Sequence, residues 1–187
     1  RIAMENEERF FYAYRKRFND LMHARNIQTC EAASLFYYLN RTGYNGLCWF
    51  NRKGEFNVPF GRYKAISYVS DFLNYRKSVD CWELESRDFS RLELRDTDFL
   101  YADPPYDVEF TTYSKDGSTW DDQVRTAEWL VQRSGPVILV NQATPRIKVL
   151  YRRLGFRLRY LNAPRRISSN GDRVPAREVF ATRNLKL

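Results

Sequence analysis

The sequence has few of the residues that build metal, disulfide or hydrolytic sites. It contains one histidine, His23, which lies among polar residues of a helical pattern and is expected at the surface. Its three cysteines, Cys30, Cys48 and Cys81, are odd in number and far apart. These counts exclude a disulfide framework and a Ser-His-Asp triad, and they argue against a zinc site made by the protein. We therefore expect reduced thiols, a cytoplasmic location and no bound metal.

Long apolar runs are also missing. No stretch approaches the roughly 20 apolar residues that a membrane-spanning helix needs, and no charged-then-apolar leader is visible. We therefore expect no membrane association. Because the first residue is Arg1 rather than Met, we also expect the chain to be part of a longer protein.

The charge that is present is mostly positive. Across 187 residues, 31 Lys and Arg outnumber 23 Asp and Glu and give a net charge of +8. Such an excess favours a polyanionic partner such as nucleic acid, although a merely basic surface explains it equally well. Aromatic residues make up 16% of the chain. Rings beside Arg and Lys suit base stacking, but most of them will pack in a core.

The hydrophobic pattern divides the chain near residue 78, into residues 1–78 and residues 79–187. In the first part, apolar residues at helical spacing predict helices over residues 10–22, 29–39 and 65–77. An aromatic-rich segment (residues 40–64) lies between the second and third of these helices. Within it, residues 49–58 are typical of a hairpin with glycine at the turn.

The second part alternates strands with capped helices. Short apolar runs predict strands over residues 79–84, 97–102, 137–140, 156–161 and 178–182. Thr119 with Asp122 predicts a capping box at the start of one helix, and Thr144 with Pro145 opens another. This alternation predicts an α/β fold, with a mostly parallel sheet covered by helices on both faces.

The sequence Asp103-Pro104-Pro105-Tyr106 directly follows the predicted strand 97–102. Ligands of open α/β sheets bind beyond the carboxyl ends of the strands. Two consecutive prolines stiffen the turn and leave its carbonyls as acceptors, so an Asp carboxylate and a Pro carbonyl can together accept from one exocyclic amino group. On these four residues alone, a strand that simply ends in a Pro-Pro turn is an equally good explanation.

Four motifs in this order resemble those of one enzyme family. They are Asn40–Cys48 with Gly54–Lys64, the Arg87-Asp88-Phe89 sequence, the Asp-Pro-Pro-Tyr turn (residues 103–106) and Arg166–Gly171. Together they are similar to the motifs of Dam-type (D12 class) DNA adenine N6-methyltransferases. The resemblance implies a Rossmann-like class I methyltransferase core, here incomplete, in residues 79–187. It also implies a helical DNA-recognition subdomain with a β-hairpin in residues 1–78.

The resemblance assigns roles to the Asp-Pro-Pro-Tyr turn and to Asp88. Asp103 and the Pro104 carbonyl are expected to accept hydrogen bonds from the amino group of the target adenine, with Pro105 completing the rigid turn. Tyr106 is expected to stack on that adenine after it has been flipped out of the duplex. Asp88 and Phe89 are expected to contact the adenine of S-adenosylmethionine, with Asp103 also facing the cofactor.

The resemblance further implies contacts with double-stranded DNA. Tyr44 and Asn45 are expected to enter the duplex near the flipped base. The other predicted contacts to bases or to the backbone are Leu47, Trp49, Arg52, Lys53, Pro59, Arg62, Lys64, Arg166 and Asn170. Lys and Arg at phosphates give affinity without sequence information, and for each single one a solvated surface position is an equal alternative.

Two features depart from the family pattern. Trp49 stands where members that read GATC carry an arginine, and it cannot make the bidentate contact to guanine. We still expect a GATC-like target, in which another residue reads that base pair or the site itself differs. The family also has a Phe-x-Gly-x-Gly cofactor loop, whereas no two of the eight glycines here are separated by one residue. We therefore expect half of the cofactor pocket to lie outside residues 1–187, and these residues alone to be inactive.

Two other functions remain open on the sequence. Turns of this kind also serve RNA or protein amino groups, although the aromatic-rich segment favours duplex DNA. A non-catalytic DNA-binding protein that has lost the cofactor loop is the alternative outside enzymes. We expect a monomer in either case.

Overall fold

The computed structural model describes residues 4–107, 119–163 and 175–185. They form two compact units, and the chain passes from the first to the second between Glu85 and Ser86. The sequence pattern predicts this change of character a few residues earlier, near residue 78. None of the helices in the described part of the chain combines the length and the apolar character of a membrane span.

The first unit is built on two helices that lie where the sequence predicts them. Helix α1 spans Glu8–His23 and helix α2 spans Cys30–Thr42. Helix α2 begins at Thr29, whose hydroxyl accepts a hydrogen bond from the Ala32 amide at 3.2 Å and so satisfies one of the free amides of the first turn. The two helices share an apolar core made of Phe11, Phe18, Leu21, Leu35, Tyr38, Leu39, Phe56 and Val58.

The aromatic-rich segment forms a hairpin-like turn rather than a ladder of paired strands. Phe50 and Phe56 make a single antiparallel bridge, and the turn between them is closed by the Asn51 amide, which donates to the Glu55 carbonyl at 2.9 Å. Gly54 supplies the positive φ of +79° that the turn requires. The Asn19 side chain of α1 bonds both the amide and the carbonyl of Phe56, at 2.8 and 3.1 Å, and so occupies the place of a neighbouring strand.

Two predictions for residues 65–84 are wrong. Only Leu73–Val79 is helical (α3), because the Tyr37 hydroxyl bonds both backbone groups of Val69 and holds that residue outside a helix. The Asp71 carboxylate then accepts from the Leu73 amide at 2.9 Å, where the helix begins. The strand predicted over residues 79–84 does not form. Those residues are exposed and pair with no strand among the described residues.

The second unit alternates strands and helices. Its elements are β1 (Leu100–Ala102), α4 (Trp120–Val131), β2 (Val137–Gln142), α5 (Pro145–Arg153), β3 (Arg157–Ala163) and β4 (Ala176–Arg183). The predicted capping box of α4 is confirmed, since Thr119 and Asp122 each bond the other's backbone amide. The Thr144 cap and Pro145 at the first position of α5 are also confirmed.

The strands form one sheet in the order β1-β2-β4-β3. Strands β1 and β2 are parallel, whereas β4 runs antiparallel to both β2 and β3. The sheet is therefore mixed. The prediction of a mostly parallel sheet is wrong, because two of the three strand pairs among the described residues are antiparallel. Parallel neighbours need a long, usually helical, crossover, and α4 lies between β1 and β2 in the chain. No described helix lies between β3 and β4, which are antiparallel.

The parallel pair positions the candidate site. The register places Ala102 of β1 opposite Leu139 of β2, so both strands end at the same edge of the sheet. The sheet is anchored by a core in which Val137, Leu139, Val179 and Ala181 are fully buried against Ala127, Leu130, Ile147 and Leu150 of the two helices. Side chains just beyond Ala102 and Val140 are thereby brought together on a rigid support.

Candidate functional site

The Asp-Pro-Pro-Tyr turn leaves β1 at this edge. Asp103 is exposed, and its carboxylate has no hydrogen-bond partner among the described residues. Pro104 and Pro105 carry no amide hydrogen, so the carbonyls of this stretch are its only backbone hydrogen-bonding groups. The turn therefore presents acceptors to an incoming donor.

A buried polar network lies behind the turn. The Gln123 side chain of α4 donates to the Pro105 carbonyl at 2.6 Å and accepts from the Asn141 side chain at 2.8 Å. Asn141, the fifth residue of β2, also accepts from the Asp107 amide at 2.9 Å and donates to the Tyr151 hydroxyl at 3.2 Å. We call these four residues, Gln123, Asn141, Asp107 and Tyr151, the buried network.

The sequence analysis did not find the buried network. One signal for it exists, because Asn141 is a polar residue directly after the apolar run Val137–Val140 and follows a strand at the ligand-binding edge. Gln123 offers no such signal, since a glutamine in an amphipathic helix is ordinarily a surface residue.

Asp107 is held by an ion pair with helix α5. Its carboxylate accepts from the Thr144 hydroxyl at 2.7 Å and, bidentately, from the Arg146 guanidinium. Burial acts to raise the pKa of Asp107, but the bonds from Arg146 and Thr144 outweigh it and hold the pKa below its ordinary value. Arg146 also lies 4.6 Å from the centre of the Trp120 ring, in cation–π contact.

The Tyr106 hydroxyl lies near the carboxylate of Glu178, a residue that was not predicted from the sequence. The hydroxyl lies 3.5 Å from this carboxylate, which belongs to β4. Burial, and after it the charge of Glu178, raises the pKa of Tyr106 to about 12. The hydroxyl is therefore a neutral donor at physiological pH.

An apolar cavity of about 450 Å³ lies beside the turn, and Gln123 of the buried network is one of its lining residues. Asp103, Pro104 and Pro105 line one part of it, and Phe89, Leu92, Leu100, Arg125, Trp129 and Leu130 are among its other walls. The lining does not include Tyr106. The cavity has the size and the apolar, partly aromatic character of a small-molecule site.

Asp88 stands at the Phe89 end of this cavity in a bidentate ion pair with Arg125. Both N–O distances are 3.0 Å, and the Arg125 guanidinium lies 4.3 Å from the centre of the Phe89 ring. These bonds from Arg125, with those from Ser90, hold the pKa of Asp88 far below its usual range. A planar cation thus occupies the carboxylate and ring that the resemblance assigns to the cofactor adenine.

In the first unit, backbone hydrogen bonds join the two ends of the aromatic-rich segment. The Tyr44 amide donates to the Pro59 carbonyl at 2.9 Å, and the Gly61 amide donates to the Thr42 carbonyl at 2.8 Å. A Cβ on Gly61 would lie 2.9 Å from that carbonyl oxygen, so only glycine permits the approach. Asn45 and Arg62 beside these bonds both have φ of +51°, a conformation that non-glycine residues adopt mainly where surrounding structure enforces it.

Most predicted DNA-contacting residues of this segment are at the surface. Tyr44 and Trp49 are 43% and 40% exposed. The other exposed positions are Arg52, Lys53, Pro59, Arg62 and Lys64. Leu47 is buried in the core instead, which favours a packing role for its side chain. Arg62 lies 3.2 Å from the Glu8 carboxylate, and Arg166 and Asn170 are outside the described residues.

Comparison with known proteins identifies the family. The family model described as D12 class N6 adenine-specific DNA methyltransferase matches residues 2–167. The chain belongs to this family. The resemblance inferred from the four motifs is thereby confirmed, and a Rossmann-like fold is what D12 class membership implies for the mixed sheet.

Curated relatives agree with the D12 class assignment. The chain is 37% identical to the retron Ec67 DNA adenine methylase of Escherichia coli, over 96% of the chain and 64% of that protein. It is 37% identical to the DNA adenine methylase of E. coli K12, over 86% of the chain and 59% of that protein. It is 33% identical to the type II methyltransferase M1.LlaDCHI of Lactococcus lactis, over 79% of the chain and 55% of that protein. The chain thus spans about 60% of the length of these relatives.

Within the described residues, no three His, Cys, Asp or Glu side chains are grouped as a metal site would require.

Proposed function

We propose that the protein transfers a methyl group from S-adenosylmethionine to the N6 amino group of an adenine flipped out of double-stranded DNA. The observation that carries this proposal is the exposed Asp103 carboxylate on a rigid turn, at the rim of an apolar cavity and without a hydrogen-bond partner in the described part of the chain. Family membership and the relatives named DNA adenine methylase support it. We expect the protein to act as a monomer in the cytoplasm.

The Asp-Pro-Pro-Tyr turn acts by polarising the amine. The N6 lone pair is delocalised into the purine ring and is a poor nucleophile. Asp103 and the Pro104 carbonyl accept its two N–H bonds and draw the nitrogen towards tetrahedral geometry, which localises the lone pair for attack. The ring of Tyr106 stacks on the flipped adenine and offsets part of the unstacking energy, by about 1–3 kcal/mol.

The residues of the apolar cavity fit the base of a nucleoside cofactor. Phe89 and Trp129 offer aromatic surface, and Asp88 offers a carboxylate that can accept from an exocyclic amine once Arg125 releases it. Bound there, S-adenosylmethionine supplies an electrophilic methyl group on a sulfonium leaving group. The contribution of the chain is to position and polarise the acceptor amine.

The aromatic-rich segment reads the DNA in this proposal. Tyr44 and Asn45 enter the duplex beside the target, and the exposed Arg52 and Lys53 of the hairpin turn meet phosphates. The target is a GATC-like site. Trp49 reads its base pair by apolar contact rather than by the bidentate hydrogen bonds of an arginine.

The test is methyl transfer by the full-length protein and its Asp103→Ala variant. The unmodified protein should form N6-methyladenine in duplex DNA, detected by mass spectrometry after digestion, and should leave duplex RNA unmodified. Asp103→Ala should lower the rate by at least about 100-fold, the effect of removing one group that stabilises a transition state. Its affinity for DNA should stay unchanged, because Asp103 is an acceptor for the flipped amine rather than a phosphate contact.

The matched control is Asp121→Ala, which removes an exposed carboxylate from the first turn of α4. It should keep full activity. Methylation of RNA in preference to DNA, or substantial turnover by Asp103→Ala, contradicts the proposal. Tight DNA binding by the unmodified full-length protein without any transfer supports the non-catalytic alternative.

A further inference from the structure

The buried network forms hydrogen bonds to the backbone at two points, one within the Asp-Pro-Pro-Tyr turn and one directly after it. Gln123 donates to the Pro105 carbonyl at 2.6 Å, and Asn141 accepts from the Asp107 amide at 2.9 Å. The two contacts are linked, because the side-chain NH2 of Asn141 donates to the side-chain oxygen of Gln123 at 2.8 Å. The backbone on both sides of Tyr106 is therefore tied to one pair of side chains.

This arrangement lies in the interior. Gln123 and Asn141 are 3% and 0% exposed, and Tyr151 and Asp107 are also buried. Burying such polar groups costs free energy unless they are hydrogen-bonded, so each of these groups needs a partner in the interior. What apolar side chains cannot do is set the direction of a carbonyl group. Only a directional donor fixes the Pro105 peptide, and with it the prolyl backbone that carries the Pro104 acceptor.

We propose that Gln123 and Asn141 are positioning residues for methyl transfer, which hold the Asp103 and Pro104 acceptors in register with the target amine. They act through the backbone of the turn, and Gln123 also lines part of the apolar cavity. The proposal rests on the proposed function. It assigns a catalytic consequence to two residues on α4 and β2 that lie outside the recognised motifs.

The discriminating variant is Gln123→Glu in the full-length protein. The new carboxyl can still accept from Asn141, but when ionised it presents a bare oxygen to the Pro105 carbonyl and repels it. When protonated, it donates to that carbonyl again. Turnover should fall by about 100-fold at neutral pH, as expected for a misplacement of reacting groups by about 1 Å. The KM for DNA should stay unchanged, because Gln123 lies in the interior behind the turn.

The pH profile separates positioning from packing. Lowering the pH should restore the turnover of Gln123→Glu relative to the unmodified protein, because protonation restores the donor. Gln123→Met fills the same space without a donor or a charge, so its smaller loss should not depend on pH. Gln132→Glu is the matched control, since it makes the same change at an exposed residue directly after α4. It should behave as the unmodified protein at every pH.

Each outcome decides a separate claim. If the unmodified protein methylates adenine but Gln123→Glu and Gln132→Glu have equal turnover at every pH, the positioning role is wrong. It is also wrong if the glutamate and methionine variants lose equal turnover with the same pH dependence, because packing alone then explains both. If Gln123→Glu does not fold, full turnover by a stably folded Gln123→Met overturns the proposal. If the unmodified protein transfers no methyl group, the proposed function fails first.

Discussion

The Asp-Pro-Pro-Tyr turn and the aromatic-rich segment are both irregular, but they are held in different ways. The turn is tied from behind by fully buried side chains, Gln123 and Asn141. The aromatic-rich segment is tied by main-chain bonds between its own ends and by half-buried side chains of α1, such as Asn19. Its exposed Arg62 forms an ion pair with Glu8, whose carboxylate is also exposed.

The difference follows from what each loop has to do. A group that polarises a reacting atom needs a fixed position, because small displacements cost large factors in rate. A surface that meets a long polyanion needs accessible charge whose existing partners are easily exchanged, since exposed ion pairs contribute only about 0–1 kcal/mol. Substitutions of equal chemistry in the two regions should therefore have unequal effects.

The largest contrast is expected between two asparagines that each bridge backbone groups. Asn141→Leu removes the bonds that Asn141 makes to the Asp107 amide, the Gln123 side-chain oxygen and the Tyr151 hydroxyl, so it should lower the free energy of unfolding by about 3 kcal/mol. Asn19→Leu should cost about 1 kcal/mol, because Asn19 is only half-buried and water can replace part of its hydrogen bonding. Urea unfolding measures both, and amide exchange at Asp107 and Phe56 locates each effect. Equal losses would contradict the comparison.

The next effect is acid sensitivity at Asp107. Because its folded pKa is lowered, its stabilisation is fully present above its unfolded pKa of about 3.9 and is lost as the pH falls through the folded pKa. Arg146→Met should lower the free energy of unfolding by about 2 kcal/mol at pH 7, and this difference should shrink as the pH falls below about 3.9 and through the folded pKa. Arg153→Met, an exposed change on the same helix, is the control. A loss that stays constant as the protein is acidified would assign the effect to packing.

The smallest effect is expected on DNA binding, from changes to the exposed ion pair of Arg62 and Glu8. Arg62→Ala should weaken binding to duplex DNA and reduce the slope of log K against log salt by about one. Glu8→Gln frees the guanidinium and should strengthen binding slightly at low salt. Glu5→Gln removes the same charge from an exposed side chain and should strengthen binding less. Fluorescence anisotropy at several salt concentrations measures all three, and a steeper slope for Arg62→Ala would sink the assignment.

Elements with local signals could be predicted from the sequence. Thr29, Thr119 and Thr144 each cap a helix where the pattern places one, because a cap is read from residues three apart. The errors lie where distant residues decide. The apolar run 79–84 suits a strand, but a strand needs a neighbour to pair with. The helix predicted over residues 65–77 is shortened because Tyr37, more than 30 residues away, bonds Val69.

The candidate site divides in the same way. The Asp-Pro-Pro-Tyr turn is contiguous and follows a strand, so its place at the edge of the sheet could be predicted from the sequence, and the family resemblance gave its proposed role. Its support comes from Gln123 and Asn141, which lie 18 and 34 residues from the backbone groups that they bond. Arg125 likewise lies 37 residues from Asp88. Such partners become visible only once the parallel pair β1–β2 and helix α4 are assembled.

The carboxamide of Asn141 uses all its hydrogen-bonding capacity. Its oxygen accepts from the amides of Asp107 and Gln142, at 2.9 and 2.8 Å, while its nitrogen donates to Gln123 and Tyr151. Rotating the group by 180° would set an NH2 against two N–H groups, so one orientation is enforced. That orientation obliges Gln123 to turn its own NH2 towards Pro105. A single side-chain amide on β2 thus determines the direction of the hydrogen bonds that run through Gln123 to the Pro105 carbonyl.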